Sequence, residues 1–468
     1  VILLDLFIKQ KYLLRVVSLG GLIVAGVFSV AMWGESHPAL FSNMLAVDNF
    51  ALFFKILFAG IAFLVILASA DYVDKFARFQ GEYYALILLA TLGMMLMAAT
   101  ADLISLYISL ELTSISLYVL VGFLKDRKST EASLKYLLLG AIASAVLLYG
   151  MALVFGFTGQ TQLGAIAQSL QSMTKESALA SPALLTGIVM MIAGFGFKIA
   201  AVPFQMWVPD VYEGAPTPVT AYLSVASKSA GFALILRVFF SAFGTPEWLA
   251  VNWGTIFAAL AVVSMIIGNV VAIPQANIKR MLGYSSIAQA GYLMVGLATF
   301  GFQPASSVLG QSGILFFLSS YALTNLGAFI AVIAISNKLN SDLIADYAGM
   351  GKRAPVLALA LTLCLVSLIG MPPAAGFMAK FYLFSAAAQN GLLWLVVVAA
   401  INSVISAYYY LRVVKVMWFG EAASAEKVPS SGAPRLALFL CCLGVLVLGI
   451  IPGLVMRVAE LASHLFAF

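Results

Sequence analysis

Five ionisable residues stand inside long apolar stretches of this sequence. They are Glu111 in LYISLELTSISLYVLVGFL, Lys135 in SLKYLLLGAIASAV, Lys198 in GFGFKIAAVPF, Lys228 in AYLSVASKSAGFALIL and Lys380 in GMPPAAGFMAK. A charge at the centre of an apolar span costs about 2.5–3.5 kcal/mol on insertion scales, so each needs a partner or a task. A carboxylate and a lysine on adjacent helices stabilise each other as ions, whereas a lone buried lysine tends to lose its proton to desolvation. Lysines poised between these states, bridged by waters, hydroxyls and amides, make a candidate proton relay. Structural readings compete with this one. Lys135 lies near one end of its span, where its stem can reach the interface as an anchor. Lys55, in ALFFKILFAG, reads as an anchor or a subunit contact, and Arg237 and Arg412, toward span ends, read as interface residues. Glu111, Lys198, Lys228 and Lys380 fall well inside their apolar windows, where an anchoring role does not fit.

Two of these lysines lie beside helix-breaking residues: Lys198 ahead of Pro203, and Lys380 after Pro372, Pro373 and Gly376. A broken helix frees backbone carbonyls and amides at membrane depth, which is tolerated only where protein or water satisfies them. Prolines and glycines also kink membrane helices for packing alone, but a lysine beside both breaks favours an ion path. The breaks fall in the fourth span of each of two stretches, 83–242 and 252–419, that contain five spans apiece. An odd number of spans forces two such copies into opposite orientations, the pattern of inverted-repeat transporters. Residues 1–82 then form an N-terminal group of transmembrane helices, and 420–468 holds a single C-terminal transmembrane helix.

The elements that must carry these residues follow from composition. Of 468 residues, 63% are hydrophobic and 9% charged, against about 25% charged in ordinary soluble proteins, so a water-soluble globule is excluded. Apolar windows of about 20 residues recur near 12–33, 50–70, 83–101, 103–124, 134–156, 183–203, 217–242, 252–273, 283–301, 311–335, 356–388, 392–419 and 435–463. Val1 to Ile8 reads as the stub of a further helix. The fold class is thus an all-α polytopic membrane protein of about 14 transmembrane helices, with two inverted five-helix repeats and two broken helices. Alternate connections carry the basic residues: Lys9, Lys11 and Arg15; Lys75 and Arg78; Lys125, Arg127 and Lys128; Lys279 and Arg280; Lys338, Lys352 and Arg353; Lys415, Lys427 and Arg435. The other set holds little beyond Lys175. By the positive-inside rule the first set faces the cytoplasm, and the even span count puts both termini opposite. Only the loop 157–182 is long enough for an amphipathic surface segment. VPDVYEGAPTPV (208–219) reads as a loop by its Pro and Gly content. Its Asp210 and Glu213 make it either a solvated turn or a carboxylate-lined mouth.

Other chemistries find little support. The 25 basic residues exceed the 19 acidic ones by six, but they are spread between apolar runs rather than clustered for nucleic acid. Cys364, Cys441 and Cys442 form no CxxC pair, and His37 and His464 are far apart, so a metal, Fe–S or haem site is not expected. P-loop, Rossmann and GxSxG patterns are absent.

The segments 194–239, 111–123 with 131–141, 278–296, and 370–384 with 406–420 together resemble the antiporter-like membrane subunits of respiratory complex I, and among these the subunit N group. They span most of the chain in the family's order. The PDVYEGAPTPV run, Lys228 and Lys380 are more similar to subunit N than to its paralogues. The resemblance implies that Glu111 is the family's key glutamate, Lys135 its partner lysine, Lys198 and Lys380 the lysines of the two broken helices, and Lys228 the central lysine. It also implies a translocase role within an NADH:quinone oxidoreductase of the bacterial cytoplasmic (inner) membrane. Flavin, Fe–S clusters and quinone would reside in partner subunits, with no cofactor in this chain. Paralogous antiporter-like subunits and the lipid bilayer would be its neighbours. Gln205 departs from the family, where many relatives carry histidine. The alternatives are a subunit of a multi-subunit Na+/H+ antiporter, a purely structural subunit of the membrane arm, and a thylakoid or archaeal relative with another electron donor.

Overall fold

The computed structural model describes residues 1–7, 10–35, 37–76, 79–172, 181–244, 247–300, 309–421, 426–428 and 431–463. Lys9, Arg78, Lys175 and His464 lie outside them, as does the middle of the 157–182 loop. The chain is a bundle of helices. In chain order the main ones are α1 (Tyr12–Ala31), α2 (Asn49–Ala68), α3 (Gln80–Ala99), α4 (Leu103–Val121), α5 (Arg127–Thr158), α6 (Pro182–Ile199) and α7 (Val208–Gly214). They continue with α8 (Thr217–Ser241), α9 (Glu247–Ala272), α10 (Ile278–Ala298), α11 (Leu309–Leu339), α12 (Pro355–Ile369), α13 (Ala375–Gln389), α14 (Leu393–Phe419), α15 (Gly432–Ile450) and α16 (Gly453–Ser463). A small antiparallel hairpin, His37–Leu40 with Leu45–Val47, is the one sheet among the described residues.

Among the described residues, eleven helices are long and apolar enough to cross a membrane, and the protein is a multi-pass membrane protein. Each of the thirteen expected windows coincides with helix. Two are not in the eleven: α10, whose sequence is more polar, and the 356–388 window, which is divided into α12 and α13. The 435–463 window is a correction. It breaks at Ile451–Pro452 into α15 and α16, because proline lacks the N–H that would continue the helix. In the 157–182 loop, Leu163–Gln171 is a short helix that buries Leu163, Ile166 and Leu170, the spacing of an amphipathic segment.

Close helix approach holds the centre together. A side chain at Gly268 would lie 2.6 Å from the Ala288 amide, and one at Gly291 would lie 2.8 Å from the Met265 amide. These glycines let α9 and α10 touch backbone to backbone, as small residues do in membrane bundles. α8 is wholly buried at the middle of the bundle, with α11 packed beside it.

Both expected helix breaks are present. α6 ends at Ile199, Ala200 takes the left-handed conformation (φ 63°), and helix resumes at Val208. The freed backbone is satisfied locally: Ala201 N–H donates to Gly196 O at 2.8 Å, Val202 N–H to Ser264 Oγ at 3.0 Å, and the Trp207 indole to Phe197 O at 3.0 Å. α12 ends at Ile369, Gly370 turns the chain at φ 92°, and α13 begins at Ala375. Gly376 sits so close to the Ser367 carbonyl that a Cβ would come within 1.9 Å of its oxygen, so the two half-helices approach at a point where only glycine fits.

Candidate functional site

Lys198 occupies the last turn of α6 and is 5% exposed. The C-terminal end of a helix carries partial negative charge, a favourable place for an ammonium. Its Nζ donates to Ser114 Oγ on α4 at 2.9 Å. Glu111 lies one turn before Ser114 on that helix and is within electrostatic reach of Lys198. Its carboxylate accepts a hydrogen bond from Ser144 on α5. A small cavity lined by Ser114, Ser144 and Lys198 offers about 10 Å³ for a water's centre, close to what one water needs. Glu111 and Lys198 thus stand one serine and one potential water apart.

Lys228 begins the helical segment that follows a π-helical turn, Leu223–Ser227. Such bulges leave carbonyls and side chains out of the regular ladder and recur at functional positions. Lys228 is 2% exposed and donates to both the carbonyl and the hydroxyl of Ser286 on α10, the latter at 2.6 Å. Tyr212 approaches the same hydroxyl at 3.2 Å, and the Tyr321 ring lies 5.9 Å from the Lys228 ammonium. The stem of Lys198 packs against α8 one turn from Lys228, 3.4 Å from the Cβ position of Gly231. Ser227 Oγ, Ser229 Oγ, Tyr136 Oη and Tyr321 Oη are buried around this segment with no hydrogen-bond partner among the described residues. Buried polar atoms of this kind are ordinarily met by water.

Lys380 reaches back across its own break. Its Nζ donates to Ile369 O at 2.8 Å, Leu368 O at 3.3 Å and Ser403 Oγ at 3.0 Å, and sits 4.2 Å from the centre of the Tyr292 ring. The carbonyls are those left without partners where α12 stops, so the break supplies the ammonium's ligands. Gln289 donates to the same Leu368 carbonyl at 3.1 Å. A second one-water cavity is lined by Tyr321, Gln289 and Lys380, and through Tyr321 it adjoins the surroundings of Lys228. Ser286, Gln289 and Tyr292 recur every three residues on α10 and form one polar face linking Lys228 to Lys380.

The expected Glu111–Lys135 pair is not present. Lys135 lies nine residues before Ser144 on α5, about 13 Å along the helix. It is bonded instead to Asp210 at 2.8 Å and Glu131 at 2.9 Å, with 43% of its side chain exposed. The 208–219 segment also differs from expectation. Val208–Gly214 is helical, because Pro209 stands in the first turn, where its missing N–H costs nothing. Its carboxylates are ion-paired rather than freely solvated: Asp210 binds Arg280 at 2.6 Å as well as Lys135, and Glu213 binds Arg280 at 3.1 Å. Burial pushes the Asp210 pKa up, but the hydrogen bonds from Lys135 and Arg280 outweigh it and hold that carboxyl below its usual 3.8. Glu213 and Arg280 also line a cavity of about 900 Å³ together with Lys75, Asp126, Lys128, Lys279 and Asp342, a polar vestibule on the side of the basic connections that agrees with a carboxylate-lined mouth.

Arg237 is likewise not an interface residue. It is 4% exposed and grips Asp48 with two bonds, at 2.7 and 2.9 Å, while donating twice to Ala98 O. Arg412 holds the carbonyls of Ile273 and Gln275 at the end of α9. Lys55 is half-buried on α2. Gln205 lies in the first break with its Oε1 buried and without a hydrogen-bond partner among the described residues, an arrangement that suits a water. Ser114, Ser286, Gln289, Tyr321 and Ser403 were not singled out from sequence. The three-residue rhythm of polar groups within 285–292 was the signal available for α10. Among the described residues, no group of three His, Cys, Asp or Glu side chains converges as a metal site.

Paired broken helices, each with a buried lysine, around a polar row in an otherwise apolar bundle define a class of antiporter-like membrane proteins. A family model described as "NADH:quinone oxidoreductase/Mrp antiporter, TM" matches residues 100–406. The NADH-quinone oxidoreductase subunit N of Dehalococcoides mccartyi is 52% identical over 467 residues, covering 99% of this chain and 96% of that one. A chain of respiratory complex I from Thermus thermophilus is 32% identical, covers 96% of this chain and 94% of its own, and superposes with a TM-score of 0.78. A chain of the Mrp complex from Dietzia sp. DQ12-45-1b, 20% identical with 98% and 93% coverage, shares the fold at a TM-score of 0.84. The chain belongs to the antiporter-like family, in its NADH-quinone oxidoreductase subunit N branch.

Proposed function

We propose that this chain is the proton-translocating, antiporter-like N subunit of an NADH:quinone oxidoreductase in a bacterial cytoplasmic membrane. Redox chemistry in other subunits, where flavin, Fe–S clusters and quinone reside, drives it, and paralogous antiporter-like subunits flank it in the membrane arm. The observation that carries this reading is the row from Glu111 through Lys198 and Lys228 to Lys380. Ser144, Ser114, Ser286 and Tyr321 bridge its steps, together with two cavities that each admit one water. Read as inverted repeats, the two five-helix stretches contribute one broken helix each, carrying Lys198 and Lys380. A charge change at a neighbouring subunit acts on Glu111, and the Lys198 proton then moves toward Lys228 and Lys380. Lys135 engaged with Asp210 represents the state in which it has parted from Glu111. The test is Lys198→Met in the assembled complex reconstituted into liposomes. Loss of protons moved per NADH oxidised, with assembly retained, is expected, whereas an unchanged ratio would refute the relay. Co-purification with flavin and Fe–S proteins, rather than Na+/H+ exchange by a preparation without them, separates this reading from the antiporter alternative.

A further inference from the structure

Away from the lysine row, α12 and α15 diverge and leave a groove of about 840 Å³ between them, open to the outside of the bundle. Val356 and Leu359 of α12 and Phe439 of α15 line it and are 73%, 63% and 61% exposed. Residues 435 to 446 of α15 run along it for about 16 Å at 1.5 Å per residue, close to one leaflet of a bilayer's hydrocarbon core, about 15 Å. The chemistry changes at one end. Arg353, Lys427 and Arg435 line the mouth, and all three belong to the basic connections of the positive-inside face.

Arg353 is the telling residue. It is 8% exposed, its Nε donates to the Glu426 carbonyl at 2.9 Å, and its terminal amino groups have no hydrogen bond among the described residues. The Glu426 carboxylate is bonded to Lys338 at 2.5 Å and is also within electrostatic reach of Arg353. With Lys338 sharing the one nearby carboxylate, the Arg353 guanidinium keeps its terminal amino groups for a further acceptor, and its planar fork matches phosphate oxygens in pairs. An apolar slot one leaflet deep under a basic mouth at the cytoplasmic surface has the shape and charge of an acidic lipid.

We propose that this groove binds an anionic glycerophospholipid, its phosphate on Arg353 with Arg435 and Lys427 alongside, and an acyl chain between α12 and α15. The occupant is a lipid and not a soluble phosphate, because the apolar walls would gain nothing from the latter.

The test uses the assembled complex in nanodiscs of zwitterionic lipid doped with photoreactive phosphatidylglycerol. After illumination, mass spectrometry locates the adducts. Adducts on peptides spanning 355–363 and 435–446 are expected. Unlabelled phosphatidylglycerol should compete them away, while inorganic phosphate and phosphatidylcholine should not. Arg353→Gln with Arg435→Gln should reduce labelling about tenfold or more, as expected when two basic contacts are lost. Leu359→Trp, which fills the slot and leaves the charges, should also reduce it and keeps the test decisive if the double variant fails to assemble. Equal labelling by photoreactive phosphatidylcholine would show bulk lipid only and overturn the proposal. So would cross-linking of these peptides to a partner subunit in place of lipid. Neither result bears on the proton row.

Discussion

Each lysine of the row finds its ligands in a different way, and the difference sets what a substitution should do. Lys198 relies on a serine hydroxyl, Lys228 on one residue that offers both a carbonyl and a hydroxyl, and Lys380 on carbonyls orphaned by a helix break. Ser286→Ala removes the hydroxyl shared by Lys228 and Tyr212 and leaves the carbonyl. A hydrogen bond to a charged group is worth about 1.5–3 kcal/mol, so proton transfer through this subunit should slow by roughly tenfold or more, lowering the protons moved per electron, while NADH oxidation with an uncoupler persists. Acidification assays on liposomes would check this, and an unaltered ratio would remove Ser286 from the path. Ser286 is also instructive about legibility. The lysines stand out because charge in an apolar window is conspicuous, whereas a serine in a membrane helix is ordinary until a lysine points at it.

At the scale of elements, the breaks and the ion-paired short helix organise the site. Gly376→Ala would set a methyl against the Ser367 carbonyl, and because that neighbour is backbone it cannot swing aside. The two half-helices should then separate, lowering the Tm of the purified complex and displacing the Leu368 and Ile369 carbonyls from Lys380, with pumping lost before NADH oxidation. The Asp210 cluster predicts a pH dependence. A carboxyl whose folded pKa is depressed contributes stability that is present above its unfolded value near 3.8 and is lost as pH falls through the lower folded value. Asp210→Asn should therefore lower the Tm most at neutral pH, and its melting curve should converge with that of the unaltered protein as pH drops below about 4. Constant separation down to pH 3 would show that the cluster acts by packing alone. The break positions were readable from Pro and Gly beside lysine. The helical character of 208–214 was not, because a proline in a helix's first turn has the same composition as a loop.

Over the whole molecule, the Asp48–Arg237 pair ties the start of α2 to α8 and, through Ala98 O, to the end of α3. Asp48 also caps α2 by accepting from Ala51 N–H at 2.8 Å. Removing one member of a buried ion pair costs about 3–5 kcal/mol, since the other is left uncompensated. Arg237→Gln should thus lower thermal stability and the yield of assembled complex without a selective loss of pumping. A variant that assembles normally but pumps poorly would instead make Arg237 part of the relay.

The sequence alone determined the membrane class, the thirteen apolar windows, the two breaks and the lysines beside them. These follow from local physics: hydropathy over about 20 residues, proline's missing N–H and the cost of charge in an apolar window are properties of short stretches. Which charges meet was decided only by tertiary structure. Lys135 could face Glu111 or Asp210, and Arg237 could face lipid or Asp48, with the same local sequence. The choice depends on how far each helix is rotated and shifted against its neighbours. That is set by close contacts such as Gly268 with Ala288 and Gly291 with Met265, far from the charges they align.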